Sequence, residues 1–76
     1  MNEFFFKSSS PEFFSSPTPG RVEQQITTTQ PGRVKHQGTY WPAELYQPDR
    51  PIIILPGNTV SIVGIQGITL LVVPIE

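Results

Sequence analysis

Few side chains in this sequence are of the types that perform acid–base or nucleophilic chemistry. A hydrolytic triad needs a nucleophile, a base and an orienting group within hydrogen-bond reach. His36 is the single histidine and cysteine is absent. This candidate base lies beside a Gln-Gly pair, where an exposed imidazole is the usual outcome. Glu44 and Asp49 are a candidate carboxylate pair, but both lie in or near a proline-bounded loop typical of solvated acids. We therefore predict no catalytic residues, no metal site and no cofactor, and a protein that is not an enzyme.

Basic and aromatic side chains gather near the same Gln-Gly pair. Arg33 and Lys35 precede it and Tyr40 follows it, and these three are our candidate binding residues. Small β-barrels often bind single strands through stacking aromatics and a basic groove. However, only 14% of the residues are charged and the formal net charge is −1, whereas phosphate-binding proteins are normally basic. Binding of single-stranded nucleic acid is therefore the alternative hypothesis and not the leading one.

A biotinyl- or lipoyl-type carrier domain is a third hypothesis, because such domains are also small and all-β. They present a modified lysine at a hairpin tip, typically between methionines or acidic residues. Lys35 is followed by His36, and Met1 is the only methionine. We therefore do not expect an attached cofactor.

The length and composition limit the chain to one small domain. With 76 residues and no cysteine, neither disulfides nor a thiolate metal site can stabilise it. So small a scaffold is commonly marginal alone, and we therefore expect a homo-oligomer or another assembly. The longest wholly apolar runs, 52–55 and 70–74, are far shorter than the roughly 20 residues of a membrane span. We expect a soluble, cytoplasmic chain without a membrane span.

Regularly spaced Pro-Gly and Gln-Gly dipeptides mark the ends of the strands that would position these side chains. Pro-Gly occurs at 19–20, 31–32 and 56–57, and Gln-Gly occurs at 37–38 and 66–67. These pairs are typical of turns, because glycine accepts a positive φ. Turns between short β-branched runs predict a small all-β barrel or sandwich over residues 19–76. Pro42 lacks an N–H, so the predicted strand 39–45 should lie at a sheet edge or carry a bulge there.

The first part of the chain has a different composition. Residues 1–18 combine two serine clusters, two prolines and two phenylalanine clusters, Phe4–Phe6 and Phe13-Phe14. Ser/Pro-rich sequence without a period does not build a packed core and is usually disordered. We therefore predict a disordered tail over residues 1–18. An arm that docks on a partner or a lipid surface through its phenylalanines is the alternative interpretation.

A series of spaced residues carries a resemblance to a known family. The series runs as Gly32-Arg33-Val34, Gly38, Trp41, Ala43, Ile53, Gly57, Val60-Ser61-Ile62-Val63, Gly67, Leu70 and Val72. In this order and spacing it resembles the soluble C-terminal domain of the NfeD-like family, from about Gly20 to Pro74. The resemblance implies a five-stranded barrel similar to the OB-fold. It also implies a short form without the membrane helices and the serine-protease domain that other members carry.

The resemblance and the strand pattern together give a predicted core. We assign the following residues to the core or to structural turns: Trp41, Ala43, Ile53, Gly57, Val60, Ile62, Gly67, Leu70 and Val72. Trp41 should point to the same face of its strand as Ala43 and Leu45, because side chains alternate between the two faces. This favours a place in the core over one on a nucleic-acid surface.

Members of the family are associated with stomatin- and prohibitin-like membrane scaffold proteins. The resemblance therefore implies a non-enzymatic protein-interaction or assembly module with a partner of that class. The chain would then lie at the periphery of a membrane through its partner.

Overall fold

The structure, a computed structural model, describes residues 10–75, and all regular secondary structure within that range is β. The strands of the described residues are β1 (Glu12–Gln24), β2 (Ile26–Thr27), β3 (Gly32–His36), β4 (Thr39–Leu45), β5 (Ile53–Ile54), β6 (Thr59–Gln66) and β7 (Thr69–Pro74). Alternation of β-branched and polar residues explains the longer strands, because successive side chains point to opposite faces of a sheet.

Five of these strands close into a barrel. Their order is β1-β3-β4-β7-β6, and β6 pairs back onto β1. Every neighbouring pair in the barrel is antiparallel except β4 with β7, which is parallel. This is the Greek-key arrangement of an OB-fold. The predicted all-β, five-stranded, OB-like barrel is therefore confirmed.

Three of the predicted turns have the geometry that their glycines allow. His36 pairs directly with Thr39, and the two residues between them have positive φ, 51° at Gln37 and 80° at Gly38, as in the type I′ turns of tight hairpins. Gly57 has a φ of 96°, and the N–H of Asn58 donates to the carbonyl of Leu55 over 3.3 Å. Gly67 and Ile68 connect β6 to β7, because Gln66 pairs with Thr69.

The other two Pro-Gly pairs do not form turns, and this part of the prediction is wrong. Pro19-Gly20 lies inside β1, and Gly32 is the first residue of β3; the chain reverses instead at residues 28–29, where Thr27 bridges to Gln30. Both glycines are needed for close packing. A Cβ on Gly20 would lie 2.6 Å from Cγ1 of Val34, and one on Gly32 would lie 2.3 Å from two backbone carbonyl oxygens.

The barrel interior and the β2–β5 pair share one apolar core. Its buried members are Val22, Ile26, Val34, Ala43, Leu45, Ile54, Val60, Ile62, Leu70 and Val72. Trp41 is half-buried and packs against this cluster from its margin. Within the described part of the chain no polar or charged residue is buried, so burial of aliphatic surface is the main source of stability.

The prediction that Ile53 belongs to the core is wrong. Ile53 is 67% exposed, and its neighbour Ile54 is 7% exposed. Ile54 pairs with Ile26 of β2, which fixes the register of this short pair. Because the side-chain period of a strand is two residues, an error of one residue exchanges the buried and exposed sets.

The predicted disordered tail is also wrong over residues 12–18, since β1 begins at Glu12. Glu12 pairs with Ile65 and Phe13 with Gly64 on β6. The free edge of β6 supplies hydrogen-bonding partners for this backbone, and local composition does not report such a distant edge. Residues 10–11 precede the strand without regular secondary structure, and residues 1–9 of the predicted tail lie outside the described residues.

We predict that Ile54→Ala lowers the free energy of unfolding by about 2–5 kcal/mol, the range for removing a buried aliphatic side chain. Ile53→Ala is the matched control and should change stability by less than about 0.5 kcal/mol, because the side chain is exposed. Urea denaturation followed by tryptophan fluorescence measures both. Equal effects of the two substitutions would contradict the assigned register of β5.

We also predict that Gly32→Ala destabilises the fold by about 3 kcal/mol, the upper part of the range for overpacking. The added methyl group would meet the carbonyl oxygens of Gln24 and Gln25, both at 2.3 Å, and backbone atoms cannot rotate away. Gly38→Asn is the control, since no atom lies within 4 Å of its Cβ position and asparagine tolerates the left-handed region. A Gly32→Ala protein as stable as the Gly38→Asn protein would disprove the close backbone approach.

Candidate functional site

The three candidate binding residues lie together on the outer surface of the β3–β4 hairpin. Arg33 and Lys35 are exposed on either side of the buried Val34. Lys35 pairs with Tyr40 across the hairpin, and its Nζ atom lies 5.5 Å from the centroid of the tyrosine ring. Tyr40 is 52% exposed. The structure therefore brings Arg33, Lys35 and Tyr40 onto one face, which we call the hairpin patch.

The chemistry of the hairpin patch is limited. The Lys35 ammonium is within the range of a cation–π contact with Tyr40, so it occupies one face of the ring. Trp41 packs against the core and supplies no second stacking platform. Two cations and one partly covered tyrosine make a small surface for a phosphate backbone.

The candidate acid–base residues have structural contacts. Nδ1 of His36 lies 3.2 Å from the carbonyl oxygen of Pro19; since that oxygen can only accept, the imidazole N–H donates and links the hairpin to β1. Asp49 forms an ion pair with its neighbour Arg50 at 3.0 Å, and Glu44 is exposed on β4. Across residues 10–75 no three His, Asp or Glu side chains are grouped as metal ligands.

Sequence reasoning missed an apolar surface beside β5, which we call the apolar end. Ile53 is 67% exposed, Leu55 52% and Ile75 56%. Ile53 and Ile75 line one groove of about 230 Å³, and the remaining lining residues are Ile52, Ile54, Asn58, Thr59, Val60 and Pro74. None of these residues is charged. The signal in the sequence was the run 52–55 between two prolines, which is too short to be buried on both faces.

A second feature that sequence reasoning missed lies on the outside of the β6–β7 hairpin. The rings of Phe13 and Tyr46 meet edge to face, with centroids 5.1 Å apart and an interplanar angle of 66°. Phe13 pairs with Gly64, and Gly64 pairs with Leu71. Leu71 lies between the interior residues Leu70 and Val72, so it points outward, yet it is only 2% exposed. The aromatic pair is therefore placed to cover the outward face of β7.

Among residues 10–75 we find no helix with the length and apolarity to span a membrane. The candidate features described above lie on the surface of the barrel. That surface offers a small basic patch, an uncharged apolar end and an aromatic cover. None of the three assembles a nucleophile with a base.

Comparisons with known proteins agree with this picture. A family model described as the NfeD-like C-terminal, partner-binding domain matches residues 18–74. Among solved structures, the chain is similar to the C-terminal domain of stomatin operon partner protein 1510-C from Pyrococcus horikoshii. The TM-score is 0.65 and the identity 26%, and the match covers 80% of this chain and 88% of that one. The comparison with curated proteins gave no match.

The matches confirm the resemblance that the spaced glycine, tryptophan and valine residues indicated, and they support a protein-interaction module. The family model covers every strand of the barrel from Thr18 onward. This chain therefore belongs to the family of NfeD-like C-terminal, partner-binding domains.

Proposed function

We propose that this protein is a non-enzymatic adaptor that binds a stomatin- or prohibitin-like membrane scaffold protein, and that it lies on the cytoplasmic side of a membrane through that partner. The match of residues 18–74 to a partner-binding domain carries the proposal. The similarity to a stomatin operon partner protein supports the class of the partner. The described residues bring no catalytic group together, which agrees with a binding role.

The apolar end is the surface that best fits such a partner. The cores of protein–protein interfaces are depleted of charged residues, and their rims are polar. Ile53 and Ile75 project from a groove whose lining carries no charge, and Asn58 and Thr59 lie along it. The backbone of Ile53 is held by the pairing of β5 with β2, so little conformational entropy is lost there on binding, and Ile75 directly follows the last residue of β7. We propose that the partner inserts an apolar side chain into this groove.

We predict that Ile53→Ser combined with Ile75→Ser weakens partner binding at least about tenfold, because truncating central apolar contacts commonly costs more than 1 kcal/mol. Ile68→Ser is the matched control: Ile68 is 71% exposed but lies in the β6–β7 turn, at the opposite end of that hairpin. The measurement is co-sedimentation with vesicles that contain a purified stomatin-like protein from the same genome. Equal binding to protein-free vesicles, or equal weakening by Ile68→Ser, would count against the proposal.

Single-stranded nucleic acid is a second candidate ligand, and the hairpin patch is the observation that favours it. OB-folds bind single strands across the corresponding pair of strands, where Arg33, Lys35 and Tyr40 lie together. On this hypothesis the affinity for a labelled oligonucleotide falls steeply as salt increases, and Lys35→Gln reduces both the affinity and the salt dependence. An absence of binding at low salt would eliminate nucleic acid as a ligand.

A further inference from the structure

The first residues of β1 form a small ladder that is separate from the rest of the strand. Glu12 and Phe13 pair with Ile65 and Gly64, and the next pair is Thr18 with Ile62. Residues 14–17 of β1 therefore stand opposite the single residue Val63 of β6. This bulge disconnects the first two pairs from the ladder that closes the barrel, so the first pairs can open while the barrel stays closed.

The position opposite Phe13 on β6 is shaped to receive it. A Cβ on Gly64 would lie 2.5 Å from the carbonyl oxygen of Glu12 and 3.1 Å from Cδ1 of Phe13, so only glycine lets this backbone and ring approach so closely. On the other side of Phe13 stands the ring of Tyr46, at 5.1 Å. The backbone N–H of Tyr46 donates to the carbonyl of Val72 over 2.9 Å, which holds Tyr46 beside β7. We call Gly64, Leu71 and Tyr46 the aromatic slot.

The segment that fills the slot is loosely held elsewhere. Phe13 is 53% exposed and Phe14 39%, and residues 10–17 are otherwise exposed. A recess of about 370 Å³ lies beside the segment, lined by Ser10, Glu12, Ile65 and Gly67. The family match begins at residue 18, which places this segment outside the part that defines the domain. Few contacts would be lost if the segment detached.

Detachment of the segment exposes two surfaces of the monomer, and exposing each of them costs free energy. The edge of β6 at Gly64 and Ile65 would expose unpaired backbone groups, which are templates for another strand. Leu71 would lose its aromatic cover. In the structure the segment itself occupies these surfaces. Every copy of the chain carries such a segment.

We propose that the aromatic slot is a segment-exchange site, in which residues 10–13 of a second copy replace those of the first and produce a two-fold symmetric dimer. The bulge at 14–17 acts as the hinge, and each copy donates one Phe13 to the other's slot. Exchange of an identical element is a low-cost route to a dimer, because the same contacts form in both states. The inference goes beyond the proposed function, since it needs no partner of another kind. An exchanged dimer would carry two apolar ends and bind a partner with repeated sites more tightly.

The test begins with the full chain refolded from urea at low and at high protein concentration, followed by sedimentation velocity. We expect monomer at low concentration and a growing dimer fraction at high concentration. Because the same contact forms in the closed monomer and in the exchanged dimer, Phe13→Ala or Gly64→Ala alone should change the dimer dissociation constant by less than about threefold. A dimer whose Phe13 contact is absent from the monomer would instead be weakened at least about tenfold, a loss of about 1.4 kcal/mol. Phe14→Ala is the matched control and should dimerise like the unmodified protein.

A mixing experiment separates exchange from any other dimer. The Phe13→Ala chain retains an open slot, and the Gly64→Ala chain retains an intact segment. Refolding the two together should therefore give a mixed dimer, with one intact segment-and-slot contact, detected by mass under native conditions. Neither variant can form this intact contact as a closed monomer, so no preference for the mixed species over the two homodimers would overturn the proposal.

A peptide of residues 10–17 keeps the test decisive if either variant fails to fold. Added to the unmodified dimer, this peptide should dissociate it by filling the slots, and the same peptide with alanine at position 13 should not. A protein that remains monomeric at every concentration after refolding would refute segment exchange. None of these measurements uses a membrane scaffold protein, so their outcome is independent of the proposed function.

Discussion

The parallel pairing of β4 with β7 is the contact on which the rest of the structure depends. It joins the first three barrel strands to the final hairpin through Ala43, Glu44 and Leu45 opposite residues 70–72. Parallel pairing is slightly weaker per residue than antiparallel pairing, and here the two strands are separated in the chain by residues 46–68, which include β5 and β6. The interior compensates, because Ala43, Leu70 and Val72 all point into the common core. Closure and burial therefore stabilise each other, and neither would persist alone in a chain without disulfides.

Those features of the fold that depend on short-range chemistry could be predicted from sequence. The Gln37-Gly38 hairpin follows from the tolerance of glycine for positive φ. The prediction that Pro42 places its strand at a sheet edge or on a bulge is wrong, because β4 lies between β3 and β7 and Pro42 stays in register with Arg33. The missing N–H is tolerated because β7 pairs with β4 only from Ala43 onward. Gly20 and Gly32 could not be interpreted in the same way. A glycine needed for close packing and one needed for a turn look identical in sequence, and only the positions of Val34 and Gln24 distinguish them.

The candidate sites also divide into those that follow from local sequence and those that depend on pairing with a distant strand. Arg33, Lys35 and Tyr40 were predictable as a group, because alternation within a strand and the register of a tight hairpin are both local. The apolar end was not, since whether Ile53 or Ile54 faces outward depends on pairing with β2, nearly thirty positions earlier in the chain. The cover formed by Phe13 was missed for a related reason. Residues 12–13 gain a structure only because β6 leaves an edge for them, and composition describes the segment without that edge.

The two apolar surfaces differ in when they are available to a partner, and this difference follows from how each is built. Ile53 is exposed on β5, which pairs with β2, and Ile75 is exposed directly after the end of β7, so the apolar end is open without any segment having to detach. Gly64 and Leu71 are already covered by Phe13 and become accessible only after that segment detaches. A ligand at the covered surface must therefore compete with an intramolecular segment, whose effective concentration is high. The permanently open surface suits recognition of a distinct partner, whereas the covered one suits a ligand with the same sequence as the segment it displaces.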